Sequence, residues 1–536
     1  MRTVLVIGAV ALLALPSIAL PSMARAMPPG ADGSRLRSAA SALDQLLIEE
    51  AAVELDRLVV AYPNDPDVML ERGLLSYLRG DYRAASGQIV AASLRATGVR
   101  SPEERGMLAR IAWETLETTE NFEEVGTADG RYSVRFAPGT DRTLVPYALR
   151  VMRAVDEALT EELGYRHPGP IRLEIYPTTA TLSRVSSLSV EEIERTGTIA
   201  LCKWDRLMIT TPRALVRGYS WADTIGHELV HLWLARASRD RAPVWMQEGY
   251  ARFLERRWRG GPPAVVLDPG SARLLGVAVE NDQLLSFDQL HPSIAMLPTA
   301  NDAALAFAQV STFIESLYAR SGSAGLQRAM NEVRDGVDAR EACAHAGGAS
   351  FSDLEAAWRE AVAARPVPPG EPEVPRLVFR HGSTDPDETE NIAEAEARRA
   401  TRLGNLLWER GRPLAASLEY ARAHERLPDD PLIATRYARA ALTGGDAASA
   451  LRAAEPLRER FAEYEPLLAL LGAAYAAQGD VERARRESIE AIRLNPFDPE
   501  PHCTLADVGS DPAWGNVGPE VANEAELCAQ LRAGSP

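Results

Sequence analysis

DTIGHELVHLWLARASRDRAPVWMQEGYARFLE, residues 223–255, holds two histidines and five acidic residues in thirty-three positions. His227 and His231 lie four apart in a segment with helical spacing, so both rings leave one face a turn apart and can hold one ion. Glu228 falls beside them, where a carboxylate takes a proton from an attacking water without being a ligand. Catalytic zinc needs a third protein ligand and an open position. The first helix is expected to end near Arg236, and "SRDRAP" is a polar turn closing at Pro243. "VWMQEGYARFLERRW" then resumes helical spacing, and an antiparallel return at about 1.5 Å per residue sets Glu248 level with His231. The stretch therefore predicts one zinc ion held by His227, His231 and Glu248, with Glu228 as general base. A closed structural zinc site would need a fourth protein ligand, and the motif holds no cysteine or further histidine. Asp223 and Glu255 are candidates to hydrogen-bond the ligating histidines. Trp221, Trp233 and Trp245 are expected to pack between the two helices.

Around this stretch the texture is mixed. "RYSVRFAP" (131–138) and "IRLEIYP" (171–177) alternate apolar and polar as half-buried strands do, and "LVPYALRVMRAVDEALTEELG" between them has helical spacing. "TIALCKWDRLMIT" (198–210) reads as a strand or a hairpin leading to the motif, and 305–364 is helical again. The expectation is an α+β domain over residues 126–365.

A repeat dominates the C-terminal third. Gly404, Ala438 and Gly472 are thirty-four residues apart, as are Ala416, Ala450, Ala484 and Gly411, Gly445, Gly479, while Pro428 and Pro496 close the first and third units. Small residues let two helices approach closely and proline ends the second, which is the tetratricopeptide (TPR) pattern. Three TPR repeats are expected over 398–500, a Pro-rich acidic linker over 366–397 and a tail over 501–536. Gly73, Gly80, Ala85 and Ala92, with Ala39, Ala51 and Pro63 one period earlier, carry the same pattern more weakly. They place TPR-like helical hairpins within 27–125, with a plain helical bundle as the alternative.

The N-terminus has Met1-Arg2, an apolar run interrupted by Pro16, and Ala24 and Ala26 as an A-x-A cleavage signal. A signal peptide over 1–26 is expected, hence export to the periplasm or the cell exterior and no membrane span after cleavage; an uncleaved anchor is the alternative. The chain is 46% hydrophobic and 25% charged, with net charge −17 and Lys203 as its single lysine. An acidic chain without a long Arg-rich run is a poor binder of nucleic acid. Cys202, Cys343, Cys503 and Cys528 lack metal-ligand spacing. Export permits a Cys503–Cys528 disulfide, and four free thiols are the alternative.

With HExxH followed by a downstream glutamate, the chain resembles the gluzincin superfamily of zinc metallopeptidases, and "PVWMQEGYARFLE" looks like their second helix. The resemblance implies a zincin-like fold flanked by TPR helices, peptide-bond hydrolysis with protein or peptide substrates, and a protein partner on the repeats. It carries His227, His231 and Glu248 over as zinc ligands and Glu228 as general base. Sixteen residues separate His231 from Glu248, and no G-x-M-E-N segment precedes the motif, so the exopeptidase mode of the aminopeptidase members has no support. "LAFAQVSTFIESLYARSG" (305–322) resembles the later helix in which these families place an oxyanion-binding tyrosine, and here Phe307 stands at that position. His291 and Tyr318 are the candidate substitutes. Without such a donor, the alternative is a catalytically weak or inactive zinc-binding TPR scaffold.

Overall fold

The computed structural model describes residues 32–290, 294, 297–368, 377–380, 387–509 and 523–534. The expected signal peptide, parts of the expected linker and His291 lie outside the described residues. The chain is a mostly helical multidomain protein with one small mixed sheet. It divides into two compact units, one of residues 1–211 and 223–376, the other of 212–222 and 377–536.

The first unit opens with α1 (Gly33–Asp44), α2 (Ile48–Ala61), α3 (Pro66–Leu78), α4 (Tyr82–Ser93) and α5 (Pro102–Thr119). Asp65 caps α3, accepting from the backbone N–H of Asp67 and Val68 with Pro66 next in line, and Ser101 and Glu104 form a capping box on α5. Gly73 is needed where α3 meets α4, because a Cβ there would stand 2.6 Å from Ile89. Leu36, Leu55, Leu70, Leu75, Ile89 and Ile111 are buried in the core these helices share.

The sheet follows, in the order β1-β2-β3-β5-β4. β1 (Glu123–Gly126) runs antiparallel to β2 (Tyr132–Phe136), and α6 (Val145–Leu163) crosses over to β3 (Ile171–Tyr176), parallel to β2. β1 was not expected; its Glu-Glu-Val-Gly sequence has no apolar alternation to mark it. After α7 (Thr179–Arg184) and α8 (Val190–Thr196), β4 (Ala200–Lys203) and β5 (Arg206–Thr210) form a hairpin. Trp204 and Asp205 turn it with φ of 53° and 60°, both left-handed as a tight two-residue hairpin turn requires. β5 lies parallel to β3, which leaves β4 at the edge.

Next come α9 (Trp221–Ser238), α10 (Val244–Leu254), α11 (Pro269–Glu280), α12 (Ala300–Arg334, broken at Gly322), α13 (Ala339–Gly347) and α14 (Phe351–Ala363). α9 runs two residues beyond the expected Arg236. Left-handed Arg239 and Asp240 end it, the Asp240 N–H reaching back to the Ala235 carbonyl.

A buried polar knot joins the sheet to the N-terminal helices. Arg206 on β5 donates to the hydroxyls of Tyr82 (2.7 Å) and Tyr77 (2.9 Å) and lies 3.1 Å from Glu174 on β3. Tyr82 and Tyr176 both donate to Glu174. Burial pushes the Glu174 carboxyl up, but Arg206 and Arg135 outweigh it and hold it below its usual value.

In the second unit α15 (Ala395–Glu409) pairs with α16 (Pro413–Arg426), α17 (Pro431–Thr443) with α18 (Ala447–Ala454), and α19 (Glu465–Ala477) with α20 (Val481–Leu494). Gly472 touches Ser488, 2.5 Å from where its Cβ would be, as the repeat argument requires. The second repeat departs from its neighbours: Pro456 lacks an N–H, so α18 stops after eight residues and tightens into a 3₁₀ turn over Glu455–Leu457. α21 (Pro499–Val508) is tied to α22 (Glu524–Gly534) by the Cys503–Cys528 disulfide, while Cys202 and Cys343 are free. In the expected linker, Phe379 makes a β-bridge to Leu215. Among the described residues no helix is long and apolar enough to cross a membrane.

Glu174→Gln leaves the Arg206 guanidinium buried without its counter-charge, and the loss expected is about 3–5 kcal/mol. Urea unfolding of the full chain measures it; a change below about 0.5 kcal/mol, the range of ordinary surface substitutions, would show that the knot does not hold the unit together.

Candidate metal centre

α9 and α10 carry every residue of the centre, and two glycines let them pack where they must. A Cβ on Gly226, just before His227, would collide with the Glu255 carbonyl at the end of α10. One on Gly249, just after Glu248, would stand 2.7 Å from Ile314 and 2.8 Å from the Val310 carbonyl of α12.

The Nε2 atoms of His227 and His231 face each other at 3.1 Å, and an oxygen of Glu248 lies 3.5 and 3.6 Å from them. One ligand atom from each residue falls within 4.8 Å of the others, and all three residues are buried. A tetrahedral ion with bonds of about 2.0–2.1 Å sets its donors about 3.3 Å apart, which matches this triangle. Both oxygens of Glu248, both of Glu228 and Nδ1 of His231 are buried without a hydrogen-bond partner among the described residues. A divalent cation offers the charge and the coordination that such a set needs. The residues fit zinc.

The electrostatics agree. Burial pushes the Glu228 carboxyl up to about 8. Burial also raises Glu248, but His231 and His227 pull it down to about 2. Burial lowers the His227 ring, yet the Glu248 carboxylate 3.5 Å away and the hydrogen bond to Glu255 outweigh that and lift it to about 9. His231 is lowered, chiefly by burial. His227 Nδ1 faces Glu255 Oε2 at 3.0 Å, which fixes the ring with Nε2 toward the centre.

Among the other expected residues, Glu255 is at a histidine, whereas Asp223 accepts from Arg259 and pairs with Arg256. Tyr318 commits its hydroxyl to Glu162 at 3.4 Å and packs its ring on Phe253. His291 lies outside the described residues. Trp221, Trp233 and Trp245 are all buried, but their contacts are not confined to the two helices: Trp221 donates to the Ile492 carbonyl, Trp233 packs on Tyr165, and Trp245 on Phe287 and Phe313. Phe307 is buried on α12, and the Arg252 guanidinium lies over its ring, 5.5 Å from the centroid. Arg252 was not among the expected residues. Its position four after Glu248, on the same helical face, was the available signal.

Residues 154–364 match the family model described as the Peptidase MA superfamily. This region is a Peptidase MA zinc metallopeptidase domain. Solved structures similar to the chain include the first TPR domain of human RPAP3, at 18% identity over 26% of this chain and 98% of that one, with TM-score 0.20. Native yeast LTA4 hydrolase is similar at 13% identity over 76% of this chain and 66% of that one, with TM-score 0.31. The APC/C subassembly Cut9–Hcn1 is similar at 11% identity over 94% and 80%, with TM-score 0.24. No curated protein matches the chain.

Zinc uptake by the metal-free domain must displace the proton that Glu248 and Glu255 hold on His227. Affinity is therefore expected to rise with pH from 6 toward 9, and because Glu228 beside it is also protonated near pH 7, more than one proton is released per zinc there. Calorimetry in buffers of different ionisation enthalpy measures both; affinity flat in pH would contradict the ligand set.

Proposed function

We propose that the chain is an exported zinc-dependent peptidase that hydrolyses peptide bonds of protein substrates, with His227, His231 and Glu248 as ligands and Glu228 as general base. The observation that carries this is Glu228 itself: among the described residues its buried carboxylate has no hydrogen-bond partner, and it is adjacent in sequence to His227. A carboxylate so placed can take a proton from the attacking water and return it to the leaving amine. Zinc, when bound, polarises the scissile carbonyl and makes water a stronger nucleophile. Glu228 takes the proton of that attacking water, His227 and His231 stay neutral through their Nε2 ligation, and Glu255 keeps the His227 ring from rotating.

Export rests on the basic start, apolar run and A-x-A site of residues 1–26, and the Cys503–Cys528 disulfide suits an oxidising compartment. The TPR hairpins, whose stacked helices form extended binding surfaces elsewhere, recruit substrate or a protein partner.

Purified wild-type protein loaded with zinc is expected to cleave members of a broad peptide library. Glu228→Gln should keep one zinc per chain and lose at least about 10³-fold in kcat, within the range that removal of a catalytic proton acceptor costs. Equal activity in the variant defeats the mechanism. A wild type that holds zinc and cleaves nothing supports instead a zinc-binding repeat scaffold.

A further inference from the structure

We propose that Arg252 is the electrophile of this centre: its guanidinium meets the carbonyl oxygen of the scissile bond as negative charge develops there. The inference rests on the peptidase reading of the site and adds a residue that the family pattern does not supply.

Three observations converge on it. Arg252 follows Glu248 by one helical turn on α10, so its side chain leaves the face that carries the metal ligand. Its guanidinium lies over the Phe307 ring, and Nη1 is 3.5 Å from Glu255 Oε2, the oxygen that faces His227 Nδ1. Two supports, an aromatic face and a carboxylate, thus fix a planar cation beside the first histidine. Finally, the Arg252 side chain is 30% exposed, whereas those of His227, His231 and Glu248 are at most 4% exposed. Of these side chains the cation is the most accessible to solvent.

Phe307 then has a use. A phenylalanine cannot donate a hydrogen bond, but its ring face holds a guanidinium that can donate several. The hydroxyl missing at Phe307 is replaced by a cation resting on that same ring. A donor aimed at the tetrahedral oxygen strengthens only as charge builds up, so it accelerates the chemical step and contributes little to substrate binding.

The test compares wild type with Arg252→Met and Arg252→Lys, each zinc-loaded and full-length, on one cleaved peptide and on a phosphinic analogue of it that presents the tetrahedral anion. Zinc content and thermal unfolding establish that each variant is intact. Arg252→Met is expected to lower kcat about 10²–10³-fold with KM within about threefold, and to weaken phosphinic-peptide binding, measured calorimetrically, by a similar factor. Arg252→Lys keeps the charge but not the planar stack, and is expected to recover part of both losses; it also serves where the methionine variant does not fold. Phosphinic-peptide affinity unchanged in both variants overturns the assignment, as does an effect confined to KM, and cleavage by the wild type would leave the peptidase reading intact. A zinc-loaded wild type that neither cleaves nor binds the analogue overturns both.

Discussion

Three carboxyl groups, Glu228, Glu248 and Glu255, are buried against two histidines at one pair of helices, and Glu248 and Glu255 are held in their charged form. A protein interior does not tolerate such charge without a cation, because each unpaired buried carboxylate costs several kcal/mol. Arg252 and a protonated His227 offset part of it in the metal-free chain. A divalent ion held by His227, His231 and Glu248 would offset the rest. The α9–α10 hairpin thus presents a ligand set that a divalent ion would complete.

The scaffold serves that geometry in graded ways. Gly226 and Gly249 remove the two Cβ atoms that would push α10 off its neighbours. Left-handed Arg239 and Asp240 fix the turn between α9 and α10. The Arg206–Glu174 knot, in turn, ties the β3–β5 pair to the N-terminal helices, so that the sheet and the hairpins of the first unit stand or fall together.

Local pattern carried most of what was legible in the sequence. Alternation marked β2 and β3, helical spacing marked α6 and the helices after residue 300, and the thirty-four-residue period marked the repeats. The centre was legible because its residues lie on one hairpin, where turn length alone decides which side chains meet. What escaped depends on distant partners or on weak local signals. The Arg206 knot joins residues up to 129 apart, and no spacing rule pairs them. β1 is held by its ladder with β2 rather than by its own composition. The second repeat was expected to resemble its neighbours, and Pro456 shortens its second helix. Arg252 carried no expectation from the sequence, because its ring partner Phe307 lies fifty-five residues on.

The claim on which the rest depends is the identity of the ligands. Anomalous diffraction at the zinc edge from crystals of the zinc-loaded protein tests it most directly. The account predicts a single strong peak about 2.0–2.2 Å from Nε2 of His227, Nε2 of His231 and an oxygen of Glu248, with one coordination position open to solvent. A peak elsewhere, or one whose coordination is completed by a fourth protein side chain, would contradict it.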